Sequence, residues 1–163
     1  MGDPTVVDSG VTVRLVTPHD VPHVIELVRE TLAEFGLRFG EGSKTDEELA
    51  RLPGSYQDAG GAFWIAADAN GRLLGTCGVA PVRPGTFELR KMYLRADARG
   101  LGLGKRLLEG CVAWTRAHGG RRIVLDTTEQ MTRAIQFYEA SGFVRDDTQV
   151  RGSRCSRGYS REL

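Results

Sequence analysis

Cysteine is scarce in this chain and odd in number: Cys77, Cys111 and Cys155 are the only three among 163 residues. They stand far apart, so neither a disulfide framework nor a C-x-x-C zinc site is indicated, and a reducing compartment is implied. Charge of one sign is also lacking. The formal net charge is +1, which leaves no general pull toward nucleic acid or an anionic membrane surface. No apolar run approaches the length of a membrane span, and the opening residues MGDPTVVDSG are polar where a signal peptide carries an apolar stretch. Histidine is limited to three positions. His19 and His23 are four apart, but they fall with Glu26 and Glu30 on the polar side of a helical pattern, which reads as a solvated face and not as a metal site. Aromatic residues are 7% of the chain, and Phe63 and Trp64 read as core and sheet surface. The expectation is a cytoplasmic protein without metal, nucleic-acid or membrane partners.

What is present is the composition of a soluble globular protein, 40% hydrophobic and 26% charged. The length suits one domain over residues 1–163, with 1–10 as a loose lead-in. Val11, Val13 and Leu15 alternate as a first strand. Thr17-Pro18-His19-Asp20 reads as a helix start, with Thr17 as cap and Pro18 at the first helical position. Val21, Val24, Ile25, Val28, Leu32 and Phe35 then form one apolar stripe, which Gly36 can stop. A second, shorter helix is expected over Thr45 to Leu52, ended by Pro53-Gly54. From Ala62 the period becomes two. AFWIAAD and RLLGTCGVAPV flank Asn70-Gly71, the signal for a hairpin with a type I′ turn.

The stretch around which the rest is organised runs from Phe87 to Lys105. Phe87 to Leu94 reads as a strand, Arg95 to Ala98 as a connector, and Leu103 to His118 as a helix with Leu107, Leu108, Cys111, Val112 and Trp114 on its buried face. Between connector and helix lies Arg99-Gly100-Leu101-Gly102-Leu103-Gly104-Lys105. A strand, a glycine turn and a helix start form a site for a phosphate-bearing ligand, because the first-turn N–H groups are free and the helix dipole is positive there. The P-loop pattern GxxxxGK[ST] fails, since Arg99 stands five before Gly104 and Arg106 follows Lys105. The dinucleotide pattern GxGxxG fails as well, since Lys105 occupies its third glycine position. A glycine-rich connector without a ligand stays open on this motif alone. Arg122 to Thr127 reads as a buried strand, Glu129 to Ser141 as a helix capped by Thr128 and closed by Gly142, and Phe143-Val144 and Gly158 to Leu163 as the last strands.

Arg99, Gly102 and Gly104 meet the pattern [Q/R]-x-x-G-x-[G/A], and Ala134-Ile135-Gln136-Phe137-Tyr138 through Gly142-Phe143 meets a second pattern, A-x-x-[FLY]-Y-x-x-x-G-[FY]. Together they resemble the two motifs of the GNAT N-acetyltransferase superfamily, in that family's order and spacing, and the resemblance covers about residues 11–147. It implies an α/β (mixed α+β) acyl-CoA N-acyltransferase fold: a twisted, mostly antiparallel sheet of six or seven strands with four helices on its two faces. It implies acetyl-CoA as co-substrate, with its pyrophosphate on the amides of Arg99, Gly100, Leu101, Gly102, Leu103, Gly104 and Lys105. The pantetheine arm would run along Met92, Tyr93 and Leu94, where that strand parts from RIVLDT.

By the same resemblance Tyr138 points at the CoA sulfur as general acid, and the Met92 N–H is the oxyanion donor. Taken on the residues alone, Tyr138 reads as a core tyrosine. Strand alternation sets Glu88, Arg90 and Met92 on one face, which makes Glu88 the candidate general base, directly or through a water; an Arg90-paired structural carboxylate is the other reading. Acceptor pockets in the family come from the segments that map to Phe35–Tyr56 and Asp146–Tyr159, which carry no legible motif here. The cluster Arg151, Arg154, Arg157 and Arg161 reads as a solvated hairpin or as a welcome for an anionic acceptor. The expected activity is acetyl transfer to a primary amine of a small molecule, by direct attack in a ternary complex of a monomer or homodimer. A protein or peptide N-acetyltransferase and a non-catalytic acyl-CoA sensor remain as alternatives.

Overall fold

The computed structural model describes residues 10–163, so nearly all of the expected lead-in falls outside the described residues. Seven strands form one sheet: β1 (Thr12–Leu15), β2 (Ala62–Ala67), β3 (Leu73–Arg83), β4 (Thr86–Leu94), β5 (Arg122–Thr127), β6 (Val144–Arg145) and β7 (Arg157–Glu162). Their order is β1-β2-β3-β4-β5-β7-β6. Every step is antiparallel except β4 to β5, which is parallel. A parallel neighbour needs a crossover, and α3 (Leu103–Ala117) supplies it. The other helices are α1 (Val21–Glu34), α2 (Gly54–Gln57) and α4 (Thr132–Ala140). None of these helices is long and apolar enough to cross a membrane.

The sheet is buried on both faces, and the sequence of β2 shows why. Ala62, Trp64 and Ala66 join the core under α3 and α4, with Cys77, Leu107, Leu108 and Cys111. Phe63, Ile65 and Ala67 join the core under α1, with Val24, Leu27, Val28 and Leu32. A period of two with both faces apolar is what a central strand requires. The α1 stripe holds at Val24, Val28 and Leu32, and Leu27 and Thr31 are buried with them. Ahead of α1, Pro18–Asp20 forms a short 3₁₀ turn, and the Asp20 carboxylate accepts from the Thr17 N–H at 2.8 Å. Arg14 on β1 holds the same carboxylate with two N–H groups, at 2.7 and 2.9 Å.

Three local expectations are corrected. Lys44–Arg51 is a 3₁₀ helix and not an α-helix; Pro53-Gly54 starts the one-turn α2 instead of ending a helix. Asp46 and Leu49, one 3₁₀ turn apart, are the buried residues of that 3₁₀ helix. The hairpin turn is not type I′. Asn70 does not take the positive φ that type I′ demands, and Gly71 alone does, at 83°. The Asp68 carbonyl accepts from Gly71 N–H, and the Asp68 N–H donates to the Arg72 carbonyl, both at 3.0 Å, a type I turn followed by a left-handed glycine. Finally, α4 starts at Thr132 and not at Glu129. The Glu129 N–H instead donates to Ser156 Oγ at 3.0 Å, so a tertiary contact holds 128–131 in a turn.

Candidate active site

The parallel pairing of β4 with β5 is short. Thr86, Phe87 and Glu88 stand opposite Arg122, Ile123 and Val124, and beyond them the two strands part. β5 continues beside β7 through Thr127, and β4 beside β3 through Leu94. The sheet therefore opens at the carboxyl ends of two adjacent strands, the place where open α/β sheets take ligands. Two clefts meet at this opening. One, of about 1070 Å³, lies over the glycine turn, α3 and α4. The other, of about 620 Å³, is lined from residues 37–47, β4, β5 and 151–155. Met92, Tyr93, Met131 and Tyr138 line both.

At the larger cleft, α3 is preceded by its cap Gly102, whose φ of 79° is left-handed, and a Cβ there would meet no atom within 4 Å. The position is thus strained for any other residue and opens onto free space. The first intrahelical bond runs from the Arg106 N–H to the Gly102 carbonyl at 3.2 Å, which leaves the N–H groups of Leu103, Gly104 and Lys105 without helical acceptors. A Cβ on Gly104 would sit 3.5 Å from both Leu94 and Phe137, so the glycine keeps the groove between β4 and α4 open.

Met92, Tyr93, Leu94, Arg99, Gly100, Gly102, Leu103, Gly104, Lys105 and Tyr138 all line this cleft. Leu101 does not: it is 68% exposed and turned to solvent. Arg99 is also partly committed elsewhere, donating to Glu34 Oε2 at 2.8 Å and to the Leu94 carbonyl at 2.9 Å. It pins the turn to the end of β4 and to α1.

β4 itself carries an irregularity that changes its faces. Gly78 stands opposite Arg90 and Thr76 opposite Tyr93, so Cys77 faces a two-residue bulge, Lys91-Met92. Lys91 takes a φ of 54°, the one positive φ of a non-glycine residue among the described residues. Alternation restarts beyond it. Met92 and Leu94 pack with Phe87 and Leu89 in the core under α3, and Tyr93 packs toward α1. The expectation that Glu88, Arg90 and Met92 share a face is therefore corrected, because a bulge shifts the period by one.

The bulge is held by a buried ion cluster that the sequence does not announce. Asp46 is fully buried, and its carboxylate accepts from Lys91 Nζ, from Arg154 Nη1 and Nη2 at 2.8 and 3.1 Å, and from the Gly40 N–H at 2.7 Å. Burial pushes the Asp46 carboxyl up, but the Arg154 hydrogen bonds and Lys91 outweigh it and hold it below the ordinary carboxylate range. Burial lowers the Lys91 amine, and Asp46 restores part of that loss.

Tyr138 stands on α4 with its ring among Phe137, Phe143 and Tyr159, at centroid distances of 5.7, 5.8 and 6.4 Å. It is 6% exposed, and burial drives its phenol well above the ordinary value. Glu88 is buried at the smaller cleft, accepting from Arg90 Nε at 2.6 Å and from Arg151 Nη1 at 3.2 Å on its two oxygens. Each oxygen keeps a second acceptor site. Among the described residues, no group of three or more metal-ligating side chains comes together.

This arrangement of sheet, turn and paired clefts coincides with a known family. Residues 25–143 match the model of the acetyltransferase (GNAT) family. An uncharacterized N-acetyltransferase of Escherichia coli is 34% identical over 80% of both chains. The chain belongs to the GNAT acetyltransferase family. Among solved structures, an acetyltransferase of the GNAT family from Staphylococcus aureus superposes with a TM-score of 0.87 at 22% identity, covering 94% of this chain and 99% of that one. A phosphinothricin acetyltransferase from Sinorhizobium meliloti, solved in complex with acetyl-CoA, superposes with a TM-score of 0.76 at 23% identity, covering 94% and 89%. The seven-stranded sheet with four α-helices is thus the GNAT fold, and the protein is an N-acetyltransferase.

Proposed function

We propose that this acetyltransferase takes acetyl-CoA in the larger cleft and a small-molecule primary amine in the smaller one, and transfers the acetyl group directly between them. The observation that carries the reading is the shared wall: Met92 and Tyr138 line both clefts where β4 and β5 part. The turn fits a pyrophosphate, because three free first-turn N–H groups and the open space at Gly102 leave room for close approach. The acetyl-CoA in the Sinorhizobium relative supports the same assignment.

The chemistry then distributes over this chain's residues. The amine nitrogen bonds to the thioester carbonyl carbon, the C–S bond breaks, one proton leaves nitrogen, and CoA departs as the thiolate, which takes a proton from solvent after release. The Met92 N–H, which lies at the bulge on the wall shared by both clefts, is the donor to the carbonyl oxygen as it gains charge. Glu88, with one acceptor site left on each oxygen, takes the amine proton directly or through a water. Tyr138 stands at the sulfur. Its raised pKa keeps the phenol protonated, so it donates a hydrogen bond to the departing thiolate.

Calorimetric titration with acetyl-CoA, with CoA and NADH as comparisons, tests the cofactor half of this reading. Binding of both CoA species and not NADH is expected; no binding of either CoA species overturns it. Release of free thiol on adding primary amines tests the transfer half.

A further inference from the structure

The arginines of the C-terminal segment, ambiguous in sequence, are separated by the fold. Arg161 lines the larger cleft, and Arg157 lies 3.6 Å from Glu129. Arg154 has an 11% exposed side chain locked onto Asp46. Arg151 differs from all three. It lines the smaller cleft, its side chain is 57% exposed, and its guanidinium makes one contact among the described residues, to Glu88 at 3.2 Å. A guanidinium carries five N–H donors in a planar fork that matches a carboxylate. Most of that fork is unengaged.

The other charges of the cleft are largely committed. Arg90 is held by Glu88 and Glu48, and Lys91 shares Asp46 with Arg154. Of the carboxylates, Glu88 serves two arginines, and Asp126 Oδ2 accepts from the backbone N–H groups of Arg151 and Gly152 at 2.7 and 2.9 Å. Lys44 and Glu47 are exposed and of opposite sign. Apart from the exposed Glu47, Asp126 is the one lining carboxylate without a cation partner among the described residues, so an acceptor with several positive charges is not matched charge for charge. An amine that also carries one negative charge meets Arg151.

We propose that the acceptor is an amine bearing a carboxylate, of the amino-acid class, and that Arg151 is the residue that selects it. The carboxylate takes the free fork of Arg151 in a charge-assisted pair while the amine reaches the wall at Met92 and Tyr138. The inference rests on the acetyl-transfer reading above and names its substrate class.

Acetyl-CoA binding is measured first, by calorimetry, on the wild type and on Arg151→Gln; equal affinity is expected. Thiol release is then followed with the common amino acids and with their carboxamides, which keep the amine and lose the charge. The wild type is expected to favour at least one amino acid over its carboxamide by about 30-fold or more in kcat/KM. Arg151→Gln raises KM for that amino acid about 10- to 100-fold more than for the carboxamide, because the lost pair is charge-assisted, while any change from the lost Glu88 contact falls on both. Arg151→Lys recovers part of the preference. A disturbance of Glu88 would instead slow both substrates alike. Equal rates for acid and carboxamide, turnover of polyamines or of no amino acid, or a preference that survives Arg151→Gln overturns the proposal. Failure of the wild type to bind acetyl-CoA would overturn the acetyl-transfer reading itself.

Discussion

Replacing Tyr138 by Phe removes one oxygen and nothing else that the fold depends on. Among the described residues the phenol makes no hydrogen bond to protein, and the ring contacts to Phe137, Phe143 and Tyr159 survive the change. Stability is therefore expected to shift by less than about 1 kcal/mol. Catalysis is another matter. A thiol titrates near 8.5, far below a buried phenol, so Tyr138 does not surrender its proton outright. In the proposed mechanism it contributes a hydrogen bond that strengthens as negative charge gathers on sulfur. Hydrogen bonds to charged groups are worth about 1.5–3 kcal/mol, which corresponds to about 10- to 150-fold in rate. We expect kcat to fall roughly 10²-fold with the acetyl-CoA dissociation constant unchanged, because the interaction forms in the transition state and not on binding. Steady-state thiol release and calorimetry on the same preparation check the two halves. A kcat within about 3-fold of wild type would remove Tyr138 from the sulfur. A parallel loss of acetyl-CoA affinity would make it a binding residue instead.

Other outcomes follow from the same geometry. Gly102→Val places a branched side chain at a φ of 79° and into the open space before the α3 amides, so CoA affinity should drop about 10-fold or more, with a stability loss of about 1–2 kcal/mol; unchanged affinity by calorimetry would move the pyrophosphate elsewhere. Glu88→Gln should abolish the lower-pH limb of the kcat/KM profile, and an unaltered profile would place the base on another residue. Asp46→Asn leaves Lys91 and Arg154 without their anion, at a cost of about 3–5 kcal/mol. Thermal unfolding should fall by about 6 °C or more, and a shift under about 2 °C would refute the ion cluster as a structural anchor.

Arg14 hydrogen bonds hold the Asp20 carboxyl at about 2, below its ordinary 3.8. A depressed folded pKa adds stability above the unfolded value and loses it as pH falls from 3.8 toward 2. After a discount for the partial exposure of Arg14, Asp20→Asn should therefore cost about 1.5 kcal/mol more at neutral pH than at pH near 2. Equal costs in denaturant titrations at the two pH values would refute this.

The parts of the site that depend on local chain geometry were legible in the residues themselves. The glycine turn, the strand before it and the helix after it are neighbours in sequence, and short-range rules of turn and cap chemistry describe them. Hydrophobic patterning placed β1, β2, β3 and β5, with α1 and α3, because burial on one face or two imposes a pattern directly. Tyr138 was found through its family motif, since a buried tyrosine on an apolar helix face carries no signal of its own.

What the tertiary structure alone decided are pairings across long sequence separations. Asp46 meets Lys91 and Arg154 at separations of 45 and 108 residues, and no local pattern marks a carboxylate that will be buried between two cations. The Lys91 bulge reversed the face of Met92, because one extra residue on a strand is invisible to periodicity until its partner strand is in place. Arg151 and Arg154 differ by three positions and look alike in sequence. Only the packing of residues 150–156 against β5 and the 3₁₀ segment locks Arg154 into an ion cluster and leaves Arg151 half-exposed in the smaller cleft.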